Sequence, residues 1–246
     1  MTEFLDNPAG RIAATLRDVQ KLGDGPAFSI WAQALGAGNG GVAFRNIGKF
    51  MDLVDEAKNA VIKLDEQELS PAFYLSAFAF LDELVSRLTT HLGDGDMAAF
   101  KPYLSDERIV LVEMLSQILR RSYRSAILSE GARNEMLRDV RELIDTVLQN
   151  DSFSTYEKSY IVKLLRDIEE ALLSYWLGGF DDVASSVTAA AASIAVVSNV
   201  AQRGWLTTQL GRLWDFVTSK SEGTKAIAAA GKEVVTLIDS VDKLTQ

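Results

Sequence analysis

Through nearly every segment of this 246-residue chain, apolar residues recur at three- and four-residue steps. Such spacing gathers them on one side of an α-helix, which turns every ~3.6 residues, whereas a half-buried strand alternates with a period of two. From Val42 to Leu64 the stripe is Phe44, Ile47, Met51, Val54, Val61 and Ile62, with Asp55, Glu56, Lys58 and Asn59 between them. After Ser105 it is Ile109, Val112, Leu115, Ile118 and Leu119; after Ser129 it is Met136, Val140, Leu143, Ile144 and Val147. After Ser154 it is Ile161, Leu164, Leu165, Ile168, Leu172 and Tyr175.

Boundaries fall where capping chemistry puts them. All four prolines, Pro8, Pro26, Pro71 and Pro102, lie in the first 102 residues, and the first three stand where a helix should begin. Proline at the first helical position forfeits nothing, because that amide has no partner within the helix. Asn7, Gly25 or Asp24, and Ser70 supply the caps for helices reaching Leu22, Leu35 and Leu92, the last stopped by Gly93. Ser154 with Glu157 reads as a capping box opening a helix Thr155 to Leu177, with Gly178 and Gly179 as its stop. Further helices are predicted over 182–202, 205–220 and 224–244. No alternating apolar run flanks an Asn-Gly or Asp-Gly turn, so the expected fold is all-α. It is a multi-helix bundle of about nine or ten helices, with a small-residue-rich helix near 182–202 at its centre. No repeat of fixed length is present, which disfavours a solenoid. Ala, Ser, Val and Thr replace charged residues after Gly179, which divides the chain into an amphipathic bundle, 1–179, and Ala/Ser/Val-rich helices, 180–246, packed into the same globular unit.

Composition removes several chemistries. There is no Cys and one His, which excludes disulfide scaffolds, iron–sulfur sites, thiol nucleophiles and multi-His metal sites, and no cofactor is expected. A net charge of −9 argues against broad phosphate-neutralising nucleic-acid binding and favours basic partners. Met1 to Pro8 carries Glu3 and Asp6 without a basic leader and apolar run, so the expected location is cytoplasmic.

The remaining motifs each have a plain explanation. Gly36 to Gly41 is glycine-rich before a helix, but lacks the Gly-Lys-Ser/Thr ending of a Walker loop and the preceding strand of a dinucleotide loop. His91 follows Arg87 with three residues between them, whereas helical nucleases of the HEPN type use four to six; a helix C-terminal dipole accounts for a histidine there. The pairs Asp65/Glu66, Asp82/Glu83, Glu169/Glu170 and Asp181/Asp182 diverge by about 100° on a helix and make no two-carboxylate site. Gly93 to Asp96 lacks the twelve-residue calcium-loop pattern and reads as a turn. Arg120, Arg121, Arg124, Arg133, Arg138 and Arg141 would form a basic patch if their two helices paired, against a reading as a salt-laced face.

Residues 183–202 carry no charge, and about 20 residues at 1.5 Å each just span a bilayer core. Trp176, Trp205 and Trp214 then read as interface aromatics, and 183–217 as a membrane-competent region. The same segment, rich in serine and alanine, suits a helix buried among bulky neighbours.

Glu157 to Asp181, through Lys163-Leu164-Leu165, Ile168-Glu169, Ala171-Leu172 and Gly178-Gly179, is similar to helical bacterial proteins encoded near defence or toxin systems; the resemblance covers about a tenth of the chain and transfers no function. The expected role is a non-enzymatic protein-interaction module, such as an immunity, antitoxin or accessory protein of a bacterial conflict system, with a basic protein as partner. Its candidate contacts are Asp55, Glu56, Asp65, Glu66 and Glu68. The alternative is a membrane-acting effector whose C-terminal helices insert after a trigger. One apolar stripe per helix leaves a homodimer open.

Overall fold

The computed structural model describes residues 6–37, 40–64, 70–93, 95–122, 127–194 and 200–222. Among them lie nine α-helices: α1 (Pro8–Leu22), α2 (Ala27–Ala34), α3 (Gly40–Ile62), α4 (Pro71–His91), α5 (Asp106–Ser122), α6 (Glu130–Gln149), α7 (Thr155–Leu173), α8 (Tyr175–Ser193) and α9 (Val200–Lys220). Two short strands, β1 (Ile127–Leu128) and β2 (Ser221–Glu222), pair antiparallel. The fold is an all-α multi-helix bundle, as the periodicity predicts.

The chain forms two compact units, Met1–Arg124 and Ser125–Gln246. The compositional shift near residue 180 falls inside the second: Ile161, Leu165 and Ile168 before it share one core with Phe180, Val183 and Val187 after it.

In the first unit α1 packs against α5 and α3, and α2 against α1 and α3. Ile12, Leu16 and Val19 bury one side of α1, and the Asn7 side chain caps it by accepting from the Gly10 amide at 3.0 Å. Pro26 has no side-chain cap; instead the Ala27 amide donates to Gly95 O at 3.0 Å, and the Met97 amide to Gly25 O at 3.1 Å. The expected loop before Pro102 holds two 3-10 turns, Met97–Ala99 and Lys101–Tyr103, which set Phe100 6.1 Å from the buried Trp31 ring. Two residues leave the stripe read for α3: Phe44 is 64% exposed and Ile62 68%. Phe50, Leu53, Ala57 and Ala60 hold the buried side instead and turn both away.

In the second unit α6, α7, α8 and α9 pack in sequence, and α9 closes back on α6. Because β1 precedes α6 and β2 follows α9, their antiparallel pairing brings the start of α6 to the end of α9, so these helices run in opposite directions. The predicted capping box forms, with the Ser154 amide 2.9 Å from Glu157 Oε2 and the Glu157 amide 3.3 Å from Ser154 Oγ.

Three expectations are corrected here. The helix from Thr155 stops at Leu173 rather than Leu177, its end satisfied by the Ser174 amide on Glu170 O at 2.9 Å. Gly178 and Gly179 redirect the chain: α8 bends at Gly179, whose φ of 66° and ψ of −160° suit glycine, and a Cβ on Gly178 would lie 2.5 Å from Asp182 Cβ. The segment 182–202 is not one helix, since α8 ends at Ser193 and Val200 opens α9, where the Gln202 amide group donates to Ser152 O. Nor is α8 surrounded: Val183, Ala184, Val187, Ala190 and Ala191 are buried while Ser185, Ala189 and Ala192 face solvent. The helix predicted over 224–244 lies outside the described residues.

Candidate functional site

Buried polar groups of the first unit organise themselves around α1. The Arg11 guanidinium is 1% exposed; Nη2 donates to Glu56 Oε1 at 3.0 Å, while Nε and Nη1 find no acceptor. Asn7 Nδ2 donates to Ser116 Oγ at 3.0 Å and to Asp6 Oδ1 at 3.0 Å, and Asp6 Oδ2 accepts from Arg120 Nε at 2.9 Å. These contacts tie α1 to α3 and α5. Glu56, read as a partner contact, is therefore the counter-ion of a buried cation, and Arg120, read as part of a basic patch, is half-buried against Asp6. Asp55 is exposed, 3.5 Å from Lys58. Burial disfavours the Lys58 ammonium, but its hydrogen bond and charge interaction with Asp82, aided by Asp55, outweigh burial and raise its pKa. Asp65, Glu66 and Glu68 lie outside the described residues.

Arg133, Arg138, Arg141 and Arg166 of the second unit are likewise committed to neighbours. Glu169 is 6% exposed and accepts from Arg141 Nε at 2.7 Å and from Arg166. Burial pushes its pKa up; the two guanidinium hydrogen bonds and charges win and leave it lowered. Arg138 Nη2 sits 3.4 Å from Asp139 and its Nε 3.8 Å from Glu142, while Arg133 lies over the Tyr175 ring at 5.6 Å. The six arginines thus divide between the units: Arg120 to the first, Arg133, Arg138 and Arg141 to the second. Arg124 and the side chain of Arg121 lie outside the described residues.

The motifs with chemical potential resolve simply. His91 is exposed at the end of α4, with Nε2 3.4 Å from Arg87 Nη1 and Nδ1 2.6 Å from Thr90 Oγ1. Gly36 takes a φ of 61° after α2, Gly40 and Gly41 already belong to α3, and Asn46 Nδ2 donates to Leu35 O at 2.7 Å. Asp96 caps the first 3-10 turn through the Ala98 amide at 2.9 Å. Among the described residues no three metal-ligating side chains gather.

A groove of about 520 Å³ lies between α6 and α9. Asp139, Glu142, Leu143 and Thr146 line it from α6; Trp205, Gln209, Arg212, Leu213 and Phe216 line it from α9. Each set is one helical stripe, which is why antiparallel packing makes the two sets walls of one trough. Leu143 and Leu213 form a buried floor, Trp205 and Phe216 stand half-buried, and Asp139 and Glu142 form a carboxylate rim. The Trp205 ring is braced by Phe153 at 6.2 Å. A second recess, lined by Tyr160, Leu164, Ala190 and Leu210, offers only about 10 Å³, too little for more than a water.

Sequence reading gave Trp176, Trp205 and Trp214 a bilayer-interface role. Trp214 is 3% exposed in the core of the second unit, and Trp176 and Trp205 are half-buried. No described helix is long and apolar enough to cross a membrane. The groove was missed because its walls are about 60 residues apart in sequence; its signal was the spacing of Trp205, Gln209, Arg212 and Phe216 on one side of α9. Family models, curated proteins and solved structures yield no match to this chain.

Proposed function

We propose that this protein acts by contact with another protein rather than by catalysis, and that the α6–α9 groove receives an amphipathic helix bearing basic residues beside its apolar stripe. The observation that carries this reading is the placement of two half-buried aromatics, Trp205 and Phe216, between a leucine floor and a carboxylate rim. Helices seat in such grooves by inserting apolar side chains at three- and four-residue steps, and large aromatics anchor the contact. The rim carboxylates are matched by Arg138, itself 64% exposed, and so open a pairing contributes little; a partner's Lys or Arg can take its place. The net charge of −9 draws such a partner in. An immunity, antitoxin or accessory role in a bacterial conflict system is a setting that suits this chemistry.

The test is titration of the protein with a model Leu/Lys amphipathic helical peptide, read by tryptophan fluorescence. Saturable binding is expected, weakened about tenfold or more by Trp205→Ala and by Glu142→Lys, and weakened by salt. A Leu/Glu peptide of the same length should not bind. Absence of saturable binding, or binding indifferent to both substitutions, overturns the reading.

A further inference from the structure

We infer that the helix received by the α6–α9 groove carries opposite charges on its two flanks, Lys or Arg toward α6 and Asp or Glu toward Arg212 of α9. This deepens the reading of the groove as a helix-binding surface and rests on it. The first observation is that the two walls differ in sign. Asp139 and Glu142 stand on the α6 wall, Arg212 on the α9 wall. Spaced by four, three and four residues, Trp205, Gln209, Arg212 and Phe216 fall on one side of α9, so Arg212 stands between the two aromatics.

The second observation is that this guanidinium is uncommitted. Arg212 is exposed, and among the described residues its side chain makes no ion pair or hydrogen bond. Acids are at hand, Asp215 three residues along α9 and Asp139 on the facing wall, yet neither pairs with it. Asp139 and Glu142 lie instead beside Arg138 of their own helix. A planar guanidinium with its donors idle, set beside aromatic anchors, is built to take a carboxylate through two parallel hydrogen bonds.

Geometry fixes the register of the occupant. The paired strands join the start of α6 to the end of α9, and counting about 1.5 Å per residue from them brings Asp139 roughly level with Arg212 and Glu142 roughly level with Gln209. Arg212 lies about 10 Å along α9 from Trp205 and about 6 Å from Phe216. The partner's acid therefore falls about four residues from the apolar side chain over Phe216 and about seven from the one over Trp205, with a base at the same level on the other flank. Selectivity follows. A net charge of −9 attracts any cationic helix, but one that is basic on both flanks meets a like charge at Arg212.

The test uses the full chain and two model peptides of equal length, composition and leucine stripe, read by tryptophan fluorescence. The sided peptide carries Lys along one flank and Glu along the other. The level peptide carries like charges on both flanks at each turn, Lys then Glu, so that one wall is always opposed. The parent should bind the sided peptide about fivefold more tightly. Arg212→Glu should remove that preference without changing the thermal midpoint, since the side chain it replaces has no partner. Lys163→Glu, an equal change of net charge at an exposed position of α7 outside the groove, should leave the preference intact. If the Leu/Lys peptide binds but the parent does not prefer the sided peptide, the inference falls and the groove reading stands. The same holds if the preference survives Arg212→Glu or vanishes equally in Lys163→Glu. If none of the three peptides binds saturably, the groove reading fails and the inference with it.

Discussion

Glu169 carries a charge that the core of the second unit would reject if it stood alone. Burial raises the energy of its ionised form, and the hydrogen bonds from Arg141 and Arg166 more than offset that, holding its pKa below the ordinary value of 4.5. A carboxylate whose pKa is depressed on folding contributes stability that is complete above its unfolded value and is lost as pH falls through the folded one. Glu169→Gln should therefore cost about 2 kcal/mol in urea unfolding at pH 7, with the difference from the parent shrinking below the ordinary carboxylate range. A pH-independent difference would refute the assignment. Arg11 and Glu56 make a second asymmetric pair. Arg11→Met replaces a buried cation that has two idle donors with an apolar side chain of similar length, and should shift stability by less than about 1 kcal/mol. Glu56→Ala instead strands the cation, and should cost about 3 kcal/mol. Equal losses for the two variants would show the pair to be mutually stabilising rather than a cation in need of a partner. The residue types at these positions are plain in the sequence; their partnerships, 45 and 28 residues apart, are not.

Helices carry the part of the design that neighbours in sequence determine. Ser154 and Glu157 satisfy each other's amides within one turn, so the start of α7 was readable without any knowledge of its surroundings, and Ser154→Ala should lower thermal stability by about 1 kcal/mol. The buried stripes of α6 and α7 were readable for the same reason, since 3.6-residue periodicity records which side of a helix is dry. Where the reading slipped, the cause lies beyond the helix. Phe44 and Ile62 share the apolarity of their neighbours on α3, yet the rotation of α3 against α1 and α2 turns them outward. Gly178 and Gly179 look like a stop, yet α7 already ends at its C-cap, Ser174, and the glycines bend α8 within itself, so that Tyr175 and Leu172 before the bend share one core with Val183 and Val187 after it. Gly179→Ala should cost about 1–3 kcal/mol by forcing a side chain into the positive-φ conformation, measurable as a lower thermal midpoint. Unchanged stability would show that α8 straightens at no cost.

At the scale of the whole molecule, stability and binding should separate onto two tryptophans nine residues apart on α9. Trp214→Ala empties a site in the core of the second unit and should cost about 3–5 kcal/mol of unfolding free energy. Trp205→Ala removes a half-buried ring and should spare most of that stability while losing model-peptide binding. If both variants lose stability alike, Trp205 is a core residue and the groove is a packing irregularity. Fold class, the starts of most helices and the acidic balance were legible in the chain, because periodicity, capping and charge depend on residues within a turn or two of one another. The two-unit division after Arg124, the exposure of one side of α8 and the groove between α6 and α9 were not. Those follow from which stripes meet, and meeting is decided by the closure of four helices into a ring and by a two-residue strand pair that joins Leu128 to Ser221 across some 90 residues of chain.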